Sequence, residues 1–137
     1  MPEKLITYTQ KFTVYRADGD HLGNVKLGAL LRYAQQIATT HAEAVGLNDA
    51  LYRETHTAYV LAKLARHVVR LPRVDEELNL VTQPERCKRA VNKRIPHFYD
   101  ASGEEVATMD SRWVLIDTEK RIILRNHPPQ FADQWAE

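Results

Sequence analysis

The sequence predicts an α+β domain in which a curved antiparallel sheet wraps around one long central helix. Three observations lead there. A single strand-like segment opens the chain, one long apolar-striped helical segment follows, and every later segment has the texture of a strand. One helix cannot cover both sides of such a sheet, so the simplest packing curls the sheet around it. The uncovered sheet face and the open strand edge then point to a homodimer.

Residues 5–16 carry Ile6, Tyr8, Phe12, Val14 and Tyr15 and form the first strand, because β-branched and aromatic residues suit a pleated surface. The stretch from Arg16 to Gly23 holds two Gly and two Asp and reads as a loop. Asn24 is a helix cap by type, and a helix is expected from there to about Val45. At 100° per residue, Leu27, Leu30, Leu31, Ala34, Ile37, Ala38, His41 and Val45 fall on one stripe. Arg32, Gln36 and Glu43 fall opposite, and Gly46 stops the helix. Asn48 to Arg53 suggests a short helical turn.

Strands follow at 57–70, 78–82, 87–99, 105–117 and 121–124. Asp100-Ala101-Ser102-Gly103 is a hairpin turn, and Asp117-Thr118-Glu119-Lys120 is another. The expected unit is one domain over 1–137, with a loosely ordered tail from about residue 128.

Composition narrows the function classes. With 19 Lys+Arg against 18 Asp+Glu, nothing draws the whole chain to nucleic acid or anionic membrane. No apolar run is long enough to span a bilayer, and the N-terminus lacks the apolar run of a secretion signal. Cys87 is the only cysteine, so a disulfide framework and a cysteine zinc site are excluded, and a cytoplasmic location is expected. His56, His67, His97 and His127 show no metal-ligand spacing. There is no Gly-x-Ser-x-Gly elbow and no Gly-rich phosphate loop.

Two resemblances sharpen the reading. The run from Val14 to Gly23, with an Asp three residues before a Gly ahead of the helix, resembles the strand-and-loop motif of single-domain acyl-CoA thioesterases of the hotdog fold. The segment Leu30-Leu31-Arg32-Tyr33-Ala34-Gln35 resembles the helix that carries that family's second polar residue, usually Glu. Over about 110 residues, Gln35-Gln36, His41 to Gly46, Arg70-Leu71-Pro72 and Ser111 to Asp117 are similar to the N-terminal half of acyl-acyl-carrier-protein thioesterases. Those enzymes carry two tandem hotdog domains, with catalytic groups mainly in the second. This sequence covers one, so it must either build a site with a second copy of itself or have none.

The resemblance implies a thioesterase that hydrolyses an acyl thioester of coenzyme A or acyl carrier protein and needs no metal or bound cofactor. The alternative is a non-catalytic acyl-thioester-binding hotdog module. A hotdog dehydratase is weaker, because no His-Phe-Pro-Gly type segment approaches the helix.

Asp20 is the candidate general base or nucleophile, set against an ordinary loop carboxylate bonding a turn. Asp18 competes and reads as a turn residue. Gln35 matches the helix position that is Glu in relatives. It can orient a water or the thioester carbonyl but cannot take a proton. The backbone N–H groups near Gly23, Asn24 and Val25 form the candidate oxyanion site, with Gly23 leaving room for close approach. Tyr59 is counted with the substrate-binding residues. Arg86, Lys88, Arg89, Lys93 and Arg94 place five cations in nine residues. Arg89 and Arg94 are the candidates for coenzyme phosphates or an acidic carrier, set against a solvated strand. His41, in the apolar stripe, reads as a buried, satisfied histidine.

Overall fold

The structure is a computed structural model, and it describes residues 7–85, 90–126 and 128. In chain order the elements are β1 (Tyr8–Thr13), a 3-10 turn (Arg16–Asp18), α1 (Leu27–Ala44), α2 (Asp49–Thr55), β2 (Thr57–Val68), β3 (Glu77–Pro84), β4 (Val91–Tyr99), β5 (Glu105–Asp117) and β6 (Ile122–Ile123). The strands run antiparallel in the order β1-β3-β4-β5-β2, with β6 beside the end of β5. This is the expected α+β hotdog arrangement, a curled sheet around one long helix.

Helix α1 ends as the sequence predicts. Gly46 takes φ +93°, its N–H donates to Glu43 O, and Leu47 N–H donates to Ala42 O. That pair of bonds satisfies two terminal carbonyls, and only glycine adopts such a backbone at no steric cost. The helix begins later than expected. Lys26, not Asn24, is the cap, because residues 24–26 are drawn into a clasp with residues 72–74. Val25 N–H donates to Pro72 O (2.7 Å), Val74 N–H to Gly23 O (2.9 Å) and Lys26 N–H to Asp18 O (2.8 Å). Asn48, by contrast, caps α2 through its side chain, which accepts from Leu51 N–H.

Both predicted hairpin turns form. Asp100 accepts from Ser102 N–H and Glu104 N–H, and Asp117 accepts from Glu119 N–H and Lys120 N–H.

Register decides which side chains face the helix. Leu78, Leu80 and Thr82 on β3 are buried, and their partners Phe12, Gln10 and Tyr8 on β1 share that face. Continuing across the sheet, Pro96 and Phe98 on β4 and Ala107, Met109, Ser111 and Leu115 on β5 also turn inward. Helix α1 lies mainly over β1 and β3. Leu30, Ile37 and Phe98 are fully buried in the main core, and a second cluster gathers Leu47 and Leu115 with Tyr52 and Tyr59. The convex side is different: Lys93 pairs with Glu85 and Asp110, and Arg112 with Asp110. Among the described residues no helix is long and apolar enough to cross a membrane.

Candidate functional site

The loop before α1 is built around Asp20. Its Oδ1 accepts from Leu22 N–H (2.8 Å) and Asn24 N–H (3.0 Å). The bond from Asn24 is the leading cause that holds the Asp20 carboxyl below its ordinary range, with Leu22 adding to it. Among the described residues Oδ2 accepts no hydrogen bond, so half of the carboxylate is structural and half is unengaged.

The other loop expectations need correction. Gly23 has φ +82°, and a Cβ there would come within 2.8 Å of Arg73 Nη2. The room over Gly23 is therefore occupied by Arg73, whose guanidinium donates to Leu22 O and Asn24 Oδ1, and is not held open for a substrate. The amides of Asn24 and Val25 are engaged by Asp20 and Pro72, so they are not donors awaiting an oxyanion. At the start of α1, the N–H groups of Leu27 and Gly28 have no partner among the described residues. Gly28 has open space where a Cβ would stand. Sequence reasoning missed it, although a glycine inside a helical pattern is a signal in itself.

Asp18 is more than a turn residue. It is 7% exposed. Tyr33 OH donates to its Oδ2 and Arg32 Nη2 to its Oδ1, both at 2.6 Å. The Tyr33 bond, then the Arg32 bond, holds the Asp18 carboxyl below its usual range. Burial, and then the bond to Asp18, pushes Tyr33 up to about 12. Tyr33 OH also accepts from Tyr15 N–H at 3.3 Å. These bonds pin the segment just after β1 to the first half of α1.

Gln35 is exposed. It follows Leu31 by one helical turn and precedes Ala38, so the three share a flank. On the other flank Tyr33 stacks on Phe12 of β1 (5.4 Å). Leu61, Leu64 and Trp113 are half-buried on the concave side of β2 and β5. The structure places no bond between Gln35 and Asp20 among the described residues. Gln35 stands about 12 Å along the axis from the first residue of α1.

The basic segment divides. Arg89, with residues 86–88, lies outside the described residues. Lys93 points outward, but Arg94 pairs with Ser111 across β4–β5 and points inward. The expectation that Arg94 meets a carrier phosphate is therefore corrected: strand parity turns its guanidinium inward, onto protein partners. Its Nη1 donates to Thr82 Oγ1 (3.0 Å) and to His41 Nδ1 (3.1 Å). A guanidinium only donates, so Nδ1 accepts and the proton of a neutral ring sits on Nε2. Burial lowers the pKa of Arg94 to about 10, while the nearby Tyr59 and Tyr52 hydroxyls oppose the drop; it stays charged at neutral pH. His41 is fully buried and stacked on Tyr8 (5.5 Å). Tyr59 meets Tyr52 edge to face at 6.1 Å, and burial raises Tyr52 to about 12.

An open depression of about 530 Å³ lies beyond this cluster, lined by Asp49, Tyr52, Arg53, His56, Thr57 and Thr118. It contains none of the site residues expected from sequence. No group of three or more His, Cys, Asp or Glu among the described residues could hold a metal ion.

Residues 6–132 match the family described as acyl-ACP thioesterase N-terminal domain. No curated protein matches. Among solved structures, an acyl-ACP thioesterase from Bacteroides thetaiotaomicron superposes with TM-score 0.83 at 22% identity, covering 96% of this chain and 54% of the other. The 12:0-ACP thioesterase of Umbellularia californica gives 0.85 at 15% identity, covering 96% and 51%. A 1,4-dihydroxy-2-naphthoyl-CoA thioesterase from Synechocystis gives 0.81 at 16% identity, covering 91% and 92%. The chain thus spans about half the length of the acyl-ACP thioesterases it matches and nearly all of the coenzyme A enzyme. At these identities the likeness establishes the fold.

Proposed function

The chain belongs to the acyl-ACP thioesterase N-terminal domain family, and from that premise we propose that it hydrolyses an acyl thioester of coenzyme A or acyl carrier protein. The observation that carries the reading is the half-buried apolar surface on the concave side of β5 and β2. Leu61, Leu64 and Trp113 form it, and α1, lying mainly over β1 and β3, leaves them half covered. An acyl chain laid on that surface is withdrawn from water.

Asp20 supplies the reacting carboxylate through Oδ2, as base toward water or as nucleophile on the thioester carbon. Because Gln35 stands about 12 Å along α1 from its first residue, it orients the water or the carbonyl from a second copy of the chain. The N–H groups of Leu27 and Gly28, at the positive end of α1, replace those of Asn24 and Val25 as donors to the developing oxyanion. No step calls for a metal. Arg89 is kept as a contact for a carrier phosphate, and Tyr59 as part of the acyl wall. A cytoplasmic location fits the single cysteine.

Hydrolysis of a panel of acyl-CoA and acyl-carrier thioesters tests the reading, and measurable turnover above the buffer rate is expected. The second reading, a non-catalytic acyl-binding module, draws on Asp20 Oδ1 being committed to its loop and on Gln35 having no proton to exchange. Tight thioester binding without turnover would establish it.

We also propose a homodimer. Strand β2 is twelve residues long and ends the sheet with one side unpaired among the described residues, a template for a second β2. Sedimentation should show at least two copies at micromolar concentration. A stable monomer there would count against a site completed by a partner.

A further inference from the structure

We propose that Arg73 is a positioning residue, whose guanidinium holds the Asp20 carboxylate in its reactive pose through Leu22 and Asn24. The inference rests on the thioesterase reading above, in which Asp20 reacts through Oδ2. Asp20 Oδ1 is fixed by two donors, the N–H groups of Leu22 and Asn24. Arg73 grips the same two residues from their other side. Its Nη2 donates to Leu22 O (3.1 Å) and its Nη1 to Asn24 Oδ1 (3.2 Å). The backbone bonds of the clasp fall on their neighbours, Gly23 O and Val25 N–H. Main chain thus fastens residues 23 and 25, and the Arg73 side chain fastens 22 and 24. Two further bonds, from Asp20 N–H to Asn24 O and from Gly23 N–H to Asp20 O, close the loop on itself without tying it to the segment behind it.

The grip has a firm base. The N–H of Arg73 donates to Glu76 Oε1 (3.0 Å), and Arg70 donates to both oxygens of Glu76 and to Asp100. A guanidinium suits the task, because its rigid fork holds two acceptors at a set separation, which an ammonium on a flexible stem does not. Its charge also favours the ionised form of Asp20. With Oδ1 pinned, the direction of Oδ2 follows the orientation of the turn. A swing of about 1 Å at a reacting group can cost roughly 10²-fold in rate. Arg73 acts on the enzyme's own carboxylate, so its loss falls on kcat and leaves KM alone.

The test measures kcat and KM for octanoyl and palmitoyl thioesters of coenzyme A and acyl carrier protein in wild type, Arg73→Met, Arg73→Lys, Asp20→Asn and the double variant Arg73→Met/Asp20→Asn. Arg73→Met should lower kcat by about 10–100-fold with KM little changed. Its melting temperature should hold, because Arg73 is exposed. Arg73→Lys keeps the charge but reaches one acceptor at a time, and should recover only part of the loss. In the Asp20→Asn background, Arg73→Met should remove nothing further from the residual rate. Equal losses in both backgrounds would reveal a structural role, a raised KM with intact kcat a substrate contact, and full recovery in Arg73→Lys a role for charge alone; each overturns the proposal. If no thioester turns over, or Asp20→Asn turns over like wild type, the catalytic reading of Asp20 fails and amide hydrogen exchange decides. Leu22 and Asn24 amides exchanging at least about tenfold faster in Arg73→Met would uphold the grip on the carboxylate, and unchanged exchange would overturn it.

Discussion

Asp20→Asn is expected to lower kcat by about 10²–10⁴-fold, the usual loss when a positioned base is removed, with almost no change in melting temperature. The loop geometry makes this substitution unusually clean. Asparagine keeps an Oδ1 acceptor for the N–H groups of Leu22 and Asn24, so the turn survives. What is lost is the charge on Oδ2, the oxygen that the loop does not use. The pH dependence carries a second check. Hydrogen bonds from Asn24 and Leu22 favour the ionised form and hold the pKa below its ordinary 3.8. The active carboxylate is present above that range and is lost as pH falls through it, so this group puts no activity limb between pH 5 and 8. Full turnover in Asp20→Asn would leave the carboxylate as a loop fastener only. A limb near neutrality that vanishes in the variant would mean that a different pKa governs the site.

The second large effect concerns stability. Asp18→Ala should destabilise the fold by about 1.5–3 kcal/mol, the cost of removing a buried charged acceptor from its donors. Most of that loss falls on Tyr33, because Arg32 is largely exposed and its ion pair is screened by water. The pKa of Asp18 is depressed in the folded state, chiefly by Tyr33 and then by Arg32. Its contribution is therefore complete above the unfolded carboxylate pKa and is lost as pH falls through the folded one. Tyr33 works in the opposite direction. Its folded pKa is raised to about 12, so its contribution is present below the unfolded value of 10 and fades as pH climbs toward 12. Calorimetric melting of both proteins should show a wide gap at pH 7 that narrows in strong acid. An equal gap at both pH values would mean that packing, not charge, makes the difference.

Helix α1 was readable because its apolar residues recur at helical spacing and Gly46 closes it. The strands were readable from β-branched and aromatic runs between two Asp-rich turns. The start of α1 was not readable. Asn24 is a fitting cap by type, but Arg73, 49 residues away, takes its side chain, and no local rule anticipates so distant a competitor. Asp18 misled for the same reason: its partners Arg32 and Tyr33 sit on the helix, and in sequence it looks like any turn aspartate. Arg94 shows a third limit. Five cations in nine residues look like one surface, yet a strand sends alternate side chains to opposite faces. Only the pairing of Arg94 with Ser111, and of Lys93 with Arg112, says which one goes inside.

The clasp between residues 23–25 and 72–74 has a consequence for how the chain is made. Synthesis proceeds from the N-terminus, and the segment bearing Asp20 leaves the ribosome well before Arg73 is joined to the chain. Until then Val25 has no Pro72 carbonyl, Gly23 has no Val74 amide, and Asn24 has no guanidinium to hold. A nascent chain that stops short of residue 72 can form α1, whose bonds are local, but cannot shape the loop in front of it. The Asp20 carboxylate is thus made about fifty residues before the Arg73 side chain that completes its surroundings.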